Sequence, residues 1–173
     1  MITPNFIEKN VKIWNRKSEI DATPDCLAPK YGQSVYLRNK LKVDFSELLL
    51  NSILDLFEKS LNKNLFLQLK TDYSQISIQK YEVGDYIPPH VDNYKWLYNL
   101  ILTDSKIDGL VLEDKEHSRL HFHEDVYGNV IKVKREHLHW VNPIRDKTRY
   151  TAVILCDAEC DNIYDVPGMM RTD

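Results

Sequence analysis

Short runs of alternating residues, separated by turn residues, are the feature that most constrains the fold of this chain. After Asn64, apolar and polar residues alternate or run apolar over short lengths, a pattern typical of β-strands. The sequence Tyr127-Gly128-Asn129 predicts a hairpin turn, because Gly and Asn tolerate positive φ. So many short strands indicate a β-sandwich or barrel core rather than a parallel sheet wound with helices. The predicted strands are 65–70, 74–81, 96–103, 110–113, 119–126, 130–134, 138–142 and 149–156.

One amphipathic helix precedes these strands, between about residues 44 and 62. Asp44 and Glu47 have capping-box spacing, which predicts that the helix begins at Asp44. Residues 1–43 show no regular period, so we expect loop and covering segment there, with one short strand at 33–38. The predicted fold class is α+β. The apolar residues that recur at helical spacing are Phe45, Leu48, Leu49, Ile53, Leu56 and Phe57.

Composition excludes several classes of function. With 173 residues, 43% hydrophobic and 28% charged, the chain matches an ordinary globular domain. We expect one domain over 1–173, with a covering segment and helix in 1–63 and a β-barrel core in 64–156. The net charge of −3 argues against nucleic-acid and membrane partners. Three cysteines suggest no disulfide framework, and neither a signal peptide nor a membrane-spanning stretch is visible, so we expect a cytoplasmic protein.

Two residues of metal-ligating type lie two apart at the end of the stretch 81–92, which reads Tyr-Glu-Val-Gly-Asp-Tyr-Ile-Pro-Pro-His-Val-Asp. Side chains alternate along a strand, so His90 and Asp92 would point to the same side. A second imidazole from another strand would complete two histidines and one carboxylate, the ligand set of non-haem Fe(II) oxygenases. The pair alone does not identify a site, because other histidines compete with it: His117, His121, His123 and His137.

A second segment, 139–149, reads His-Trp-Val-Asn-Pro-Ile-Arg-Asp-Lys-Thr-Arg. Together the two segments resemble the 2-oxoglutarate- and Fe(II)-dependent dioxygenases, in particular the prolyl-4-hydroxylase-like branch. The resemblance covers roughly residues 75–156 and implies a double-stranded β-helix core of jelly-roll or cupin-like type, with His90, Asp92 and His139 as metal ligands. The residues that carry it are Tyr81, Gly84, His90, Asp92, His139, Val141, Pro143, Ile144 and Arg149.

The register of the second segment distinguishes His139 from His137. Both histidines would point to the same face of a regular strand, since they are two apart. Counting back from Pro143 and Arg149 in the resembled motif selects His139 as the metal ligand. His137 then becomes a neighbour or a residue of the rim.

The resemblance also implies a site for 2-oxoglutarate. A co-substrate that chelates iron through its keto-acid end leaves its distal carboxylate pointing away, and a guanidinium offers a planar fork for it. Arg149 opens an apolar strand, where an unpaired charge is costly. In the resembled family a tyrosine at the position of Tyr81 donates a hydrogen bond to the co-substrate. A polar residue on the strand after the His-x-Asp loop completes the pocket, and Asn99 and Tyr98, on opposite faces, are the alternatives here.

The implied activity uses Fe(II), 2-oxoglutarate and O2 to hydroxylate a C–H bond, with release of succinate and CO2 and with ascorbate as candidate reductant. The substrate would be an amino-acid residue, a free amino acid or a small metabolite. The carboxylate of Asp92 argues against halogenation. A late His-x-Val followed by Arg, together with Asp157, is also similar to the aspartyl/asparaginyl β-hydroxylase-like branch. The nucleic-acid demethylase branch places a second arginine where this chain has Leu155.

A function of another class remains as the alternative. A non-catalytic, cupin-like metal-binding or sensing module would use the same two histidines and carboxylate. Such a module needs no dicarboxylate anchor, so the presence of Arg149 discriminates between the two hypotheses.

Overall fold

The computed structural model describes the following ranges of the chain: 1–12, 14–16, 33–39, 42–43, 45–59, 76–92 and 94–156. Within them it contains two helices, α1 (Pro4–Asn10) and α2 (Glu47–Glu58), and eleven strands. The strands are β1 (Asn15–Arg16), β2 (Gln33–Asn39), β3 (Lys42–Val43), β4 (Ile76–Tyr81), β5 (Ile87–His90), β6 (Trp96–Ile101), β7 (Ser105–Asp114), β8 (Arg119–Asp125), β9 (Val130–Lys134), β10 (His139–Val141) and β11 (Arg149–Cys156).

The strands form two antiparallel sheets that share a core. The larger sheet has the order β1-β2-β4-β11-β6-β9, with β3 paired to β2, and the smaller has the order β5-β10-β7-β8. Apolar side chains from both sheets pack into one cluster, which includes Leu97 and Val153 from the larger sheet and Leu110 and Val141 from the smaller. This arrangement confirms the predicted α+β fold with a double-stranded β-helix core.

The two helices cover the other face of the larger sheet. Leu49, Ile53 and Phe57 of α2 are buried against that face, as the helical period predicts, whereas Leu48 is 61% exposed. The predicted start at Asp44 is wrong, because the helix begins at Glu47 and its N-cap is Ser46. The Ser46 hydroxyl accepts a hydrogen bond from the Leu49 N–H at 3.1 Å and donates one to Asn10 Oδ1 at 2.6 Å, which ties this cap to α1. No helix in the described ranges is long and apolar enough to cross a membrane.

The first helix contradicts the expectation that residues 1–43 lack regular structure outside 33–38. Thr3 caps α1 by accepting a hydrogen bond from the Phe6 N–H at 3.1 Å, and Pro4 occupies the first turn, where its missing N–H costs nothing. Glu8 then fastens the helix to the larger sheet by accepting hydrogen bonds from Trp14 Nε1 at 2.7 Å, Lys80 Nζ at 2.9 Å and Tyr150 Oη at 3.1 Å.

Most predicted strands have counterparts in the structure. The runs from 74 onward correspond to β4 and β6–β11, with ends shifted by a few residues, and the short strand expected at 33–38 is β2. The predicted strand 65–70 lies outside the described residues. One strand next to the candidate site, β5, was not predicted, because Pro88 and Pro89 remove two backbone donors from it. It forms an edge of the smaller sheet, where proline is tolerated.

Candidate metal centre

Two strands of the smaller sheet bring the two predicted histidines face to face. β5 and β10 pair in antiparallel register with His90 directly opposite His139. Asp92 lies two residues beyond the end of β5, in a loop rather than on the strand as expected. The carboxylate nevertheless turns to the same side: one ligand atom from each of His90, Asp92 and His139 lies within 4.8 Å of the other two.

The hydrogen bonds of the two imidazoles determine which nitrogen faces the centre. His90 Nδ1 lies 2.8 Å from the carbonyl oxygen of Pro88, and His139 Nδ1 lies 3.1 Å from that of His137. A carbonyl only accepts hydrogen bonds, so we assign the proton of each ring to Nδ1. In the neutral rings the lone pairs are therefore on the Nε2 atoms. They lie 3.8 Å (His90) and 3.0 Å (His139) from the carboxylate oxygens of Asp92.

This arrangement fits a bound metal ion. His139 Nε2 is buried and has no hydrogen-bond partner among the described residues. An imidazole lone pair 3.0 Å from a carboxylate oxygen is repulsive unless a proton or a metal ion bridges the two atoms. The donor set of two neutral imidazoles and one carboxylate is that of Fe(II) in non-haem oxygenases. Hydrogen bonds from the outer ring nitrogens to backbone carbonyls are the usual support of such ligands.

The other histidines lie apart from this centre. His117 Nδ1 and His121 Nε2 lie 2.6 Å and 3.5 Å from Asp114 Oδ2, beside the β7–β8 hairpin. His123 is buried, and burial together with the neighbouring His121 lowers its pKa to about 4. In the described part of the chain, His90, Asp92 and His139 are the one group of metal-ligating side chains that meets at a point. His137 contributes its backbone carbonyl to the centre, as the hydrogen-bond acceptor of His139.

A cavity of about 130 Å³ opens beside the three candidate ligands, between the two sheets. Its walls are mostly apolar, from residues such as Leu97, Leu110 and Val153. The polar side chains in its walls, apart from the three candidate ligands, are Ser77, Gln79, Tyr81, Asn99 and Arg149. The structure thus places all three residues proposed for co-substrate binding in the cavity that contains the metal centre.

Arg149 is only 2% exposed and has a partner that sequence reasoning missed. Its Nε and Nη2 donate hydrogen bonds to Asp125 Oδ2 and Oδ1 at 2.7 Å and 3.0 Å. Burial raises the pKa of Asp125, with Arg149 opposing it. Burial acts to lower the pKa of Arg149, but the Asp125 carboxylate outweighs it and the pKa is raised, so the guanidinium stays charged. Strand alternation from His121 through His123 to Asp125 is the signal that could have placed this carboxylate inside the barrel.

Tyr81 and Asn99 both line the cavity, on the two strands that flank β11. Tyr81 pairs with Arg149 across β4 and β11, and the guanidinium carbon lies 5.5 Å from its ring centroid. The Tyr81 hydroxyl donates a hydrogen bond to Gln79 Oε1 at 2.9 Å. Asn99 lines the cavity, and its buried Oδ1 has no hydrogen-bond partner among the described residues. Tyr98 packs on the opposite face of the sheet against the helices, so the structure favours Asn99 over Tyr98 as a cavity residue.

Thr151 is a further polar residue that sequence reasoning missed. It follows Arg149 by two positions on β11 and therefore lies on the same face of the strand. Its hydroxyl oxygen is buried and has no hydrogen-bond partner among the residues described. The spacing of two from Arg149 is the signal that was available in the sequence.

The fold is similar to that of solved oxygenase structures. An oxidoreductase of the 2OG-Fe(II) oxygenase family from Burkholderia pseudomallei superposes with a TM-score of 0.53 at 16% identity, over 76% of this chain and 68% of that one. A prolyl-4-hydroxylase from Pseudomonas putida superposes with a TM-score of 0.53 at 18% identity, over 82% and 77%. No protein-family model and no curated protein sequence matches the chain. The resemblance inferred from the two motifs is thus confirmed as a likeness of fold to 2OG-Fe(II) oxygenases.

Proposed function

We propose that this chain is a non-haem Fe(II)- and 2-oxoglutarate-dependent dioxygenase that hydroxylates a C–H bond of an amino-acid residue, a free amino acid or a small metabolite. The convergence of two imidazole lone pairs and a carboxylate on one point carries the proposal. A fold similar to that of 2OG-Fe(II) oxygenases and a buried arginine in the adjoining cavity support it.

In this proposal His90, Asp92 and His139 would hold the Fe(II) ion as its three protein ligands. Bound Fe(II) supplies the oxidative chemistry, in which O2 is consumed, 2-oxoglutarate yields succinate and CO2, and ascorbate keeps the ion reduced. The carbonyls of Pro88 and His137 hold both imidazoles in the orientation and tautomer that present Nε2 to a metal. The apolar cavity walls exclude water from the reacting atoms.

The same cavity provides a place for a dicarboxylate co-substrate. Arg149 would bind the distal carboxylate of 2-oxoglutarate, because a charged fork in an apolar cavity is the strongest partner available to it. Asn99 and Tyr81 would add hydrogen bonds from neighbouring strands. The substrate would be a small molecule or a peptide that reaches the metal centre from solvent.

One observation favours the alternative of a non-catalytic, cupin-like metal-binding or sensing module. Asp125 already neutralises Arg149 through two hydrogen bonds, so the arginine does not need a second anion to be stable in the core. In that case the centre would bind a metal while the cavity bound no keto-diacid.

Release of succinate from 2-oxoglutarate, measured with Fe(II), ascorbate and the purified chain, separates the two functions. We expect turnover by the wild type, loss of it in His139→Ala, and retention in His121→Ala, which removes an imidazole from the inner face of β8 outside the metal group. If the wild type shows neither 2-oxoglutarate binding nor turnover, and Arg149→Ala behaves identically, the binding module is the better description.

A further inference from the structure

The guanidinium of Arg149 uses only one of its two outer edges. Each edge of a guanidinium can hold a carboxylate through two parallel hydrogen bonds. The edge formed by Nε and Nη2 is taken by Asp125. The guanidinium makes no other hydrogen bond to the described residues, so the edge formed by Nη1 and Nη2 remains open. Arg149 lines the cavity and Asp125 does not, so a molecule in the cavity would meet Arg149 and not its partner.

The surroundings of Arg149 are acidic. The buried carboxylate of Asp108 accepts hydrogen bonds from the backbone N–H groups of Arg145 and Asp146, the latter at 2.9 Å, and Asp104 accepts one from Tyr127 N–H at 2.7 Å. After burial and the opposing effect of Arg149, both carboxylates further raise the pKa of Asp125. An anion that binds the open edge therefore enters a site in which the guanidinium already faces the Asp125 carboxylate.

We infer that Asp125 is a positioning residue that presents the open edge of Arg149 to the cavity and at the same time weakens the binding of 2-oxoglutarate there. The inference rests on the proposed function and names the residue that sets the co-substrate affinity of that site. Carboxylates on adjacent edges of one guanidinium repel each other, and burial reduces the screening of that repulsion. Asp125 therefore raises the concentration of 2-oxoglutarate at which the activity reaches half of its maximum.

The same carboxylate stabilises the protein before co-substrate binds. Without Asp125, the buried guanidinium would lack a counter-ion until 2-oxoglutarate supplied one. Removal of Asp125 should therefore destabilise the ligand-free protein more than the protein with 2-oxoglutarate bound. The difference appears as tighter binding of 2-oxoglutarate, because coupling between two sites is reciprocal. A purely structural role for Asp125 predicts the opposite, namely weaker binding when the carboxylate is removed.

The test compares Asp125→Asn with wild type in the full-length chain. Mn(II) replaces Fe(II), so that 2-oxoglutarate binds without turnover, and titration calorimetry measures the dissociation constant. Glu124→Gln is the matched control, because it removes the same charge from the adjacent residue of β8, on the solvent side of the sheet. We expect Asp125→Asn to bind 2-oxoglutarate about tenfold more tightly and Glu124→Gln to change the affinity by less than about twofold.

Two further readouts separate this inference from simple damage to the fold. Ligand-free Asp125→Asn should melt at a lower temperature than wild type, yet gain more on addition of 2-oxoglutarate. With Fe(II), its KM for 2-oxoglutarate should fall while kcat is retained. If Asp125→Asn is recovered unfolded, refolding with Mn(II) and 2-oxoglutarate should raise the yield of folded protein with ligand concentration.

Several results would overturn the inference. Equal or weaker binding by Asp125→Asn, with normal binding by wild type, refutes the role of Asp125 and leaves the proposed function intact. A refolding yield of Asp125→Asn that does not rise with the concentration of 2-oxoglutarate also refutes the role of Asp125. Absence of 2-oxoglutarate binding by the Mn(II)-loaded wild type refutes the proposed function and this inference with it.

Discussion

Replacing Arg149 with methionine removes the cation of the buried pair and leaves a flexible apolar side chain in its place. Asp125 is 2% exposed in the wild type, and without Arg149 its carboxylate has no other hydrogen-bond partner among the described residues. Breaking a buried pair by removing one partner costs about 3–5 kcal/mol, because the remaining charge is buried without compensation. For a chain of this length that loss lowers Tm by about 6–20 °C.

The double replacement Arg149→Met with Asp125→Leu distinguishes loss of the pair from loss of packing. Because both charges disappear together, we expect the double variant to be more stable than Arg149→Met alone. Urea denaturation at pH 7, with EDTA present and far-UV circular dichroism as the signal, measures the free energy of unfolding. Lys106→Met and Glu124→Leu form the matched surface cycle, since Lys106 Nζ and Glu124 Oε1 lie 3.6 Å apart in solvent. There the two losses should add to within about 0.5 kcal/mol. If the stability losses of Arg149→Met and Asp125→Leu added in the same way in their double variant, the reasoning would be refuted.

Four further predictions concern the metal centre, the cavity and the fold. Metal at one hundred times its Kd should stabilise the wild type by about 2.7 kcal/mol in thermal melts, and EDTA should reverse the effect. His139→Ala should lose this stabilisation and His121→Ala should keep it. Equal stabilisation of both variants would contradict the assignment of His139 as a ligand. Asn99→Ala should raise KM for 2-oxoglutarate in the succinate assay, whereas Tyr98→Phe, on the other face of β6, should leave KM unchanged. His123, with a folded pKa of about 4 against an ordinary value of 6.5, is protonated first in the unfolded state. The contribution of His123 to stability is therefore complete above pH 6.5 and falls by up to about 1.4 kcal/mol per pH unit down to pH 4. In urea denaturation from pH 7 to pH 4.5, the free energy of unfolding of His123→Gln should decrease less than that of the wild type. Parallel decreases in the two proteins would contradict this prediction. Glu8→Ala should cost about 2 kcal/mol in urea denaturation through the lost hydrogen bonds to Trp14, Lys80 and Tyr150, and the exposed Lys9→Ala, in the same helix, almost nothing.

Local patterns in the sequence were sufficient for the strands and for the candidate ligands. Strand alternation predicts β4 and β6–β11, because each pattern lies within about ten residues. The hairpin predicted at Tyr127-Gly128-Asn129 is wrong: Gly128 has a positive φ in a turn, but β8 and β9, which the turn joins, lie in different sheets. His90 and His139 are far apart in the chain, and their pairing across β5 and β10 follows from a register that no local pattern contains. They could be predicted together only because the spacing of two short motifs resembles that of a known family.

Features that depend on a second segment escaped prediction. Ser46 rather than Asp44 caps α2, and the Ser46 hydroxyl is held by Asn10 of a helix that was itself not expected. β5 contains two prolines that argue against a strand, yet as an edge of the smaller sheet it needs fewer backbone donors. In each case the competing local signal was real, and a tertiary contact outweighed it.

Asp125 belongs to the same class and bears most directly on function. From the sequence, a buried arginine at the start of β11 implies a missing anion, and 2-oxoglutarate is the obvious candidate. The structure shows that the protein supplies one anion itself, across the barrel from β8 to β11. Because Asp125 neutralises Arg149, the buried guanidinium is stable without a ligand, and its open edge can still bind a carboxylate. The presence of Arg149 therefore does not by itself distinguish an oxygenase from a binding module. The affinity of its open edge for a dicarboxylate is the property that distinguishes them.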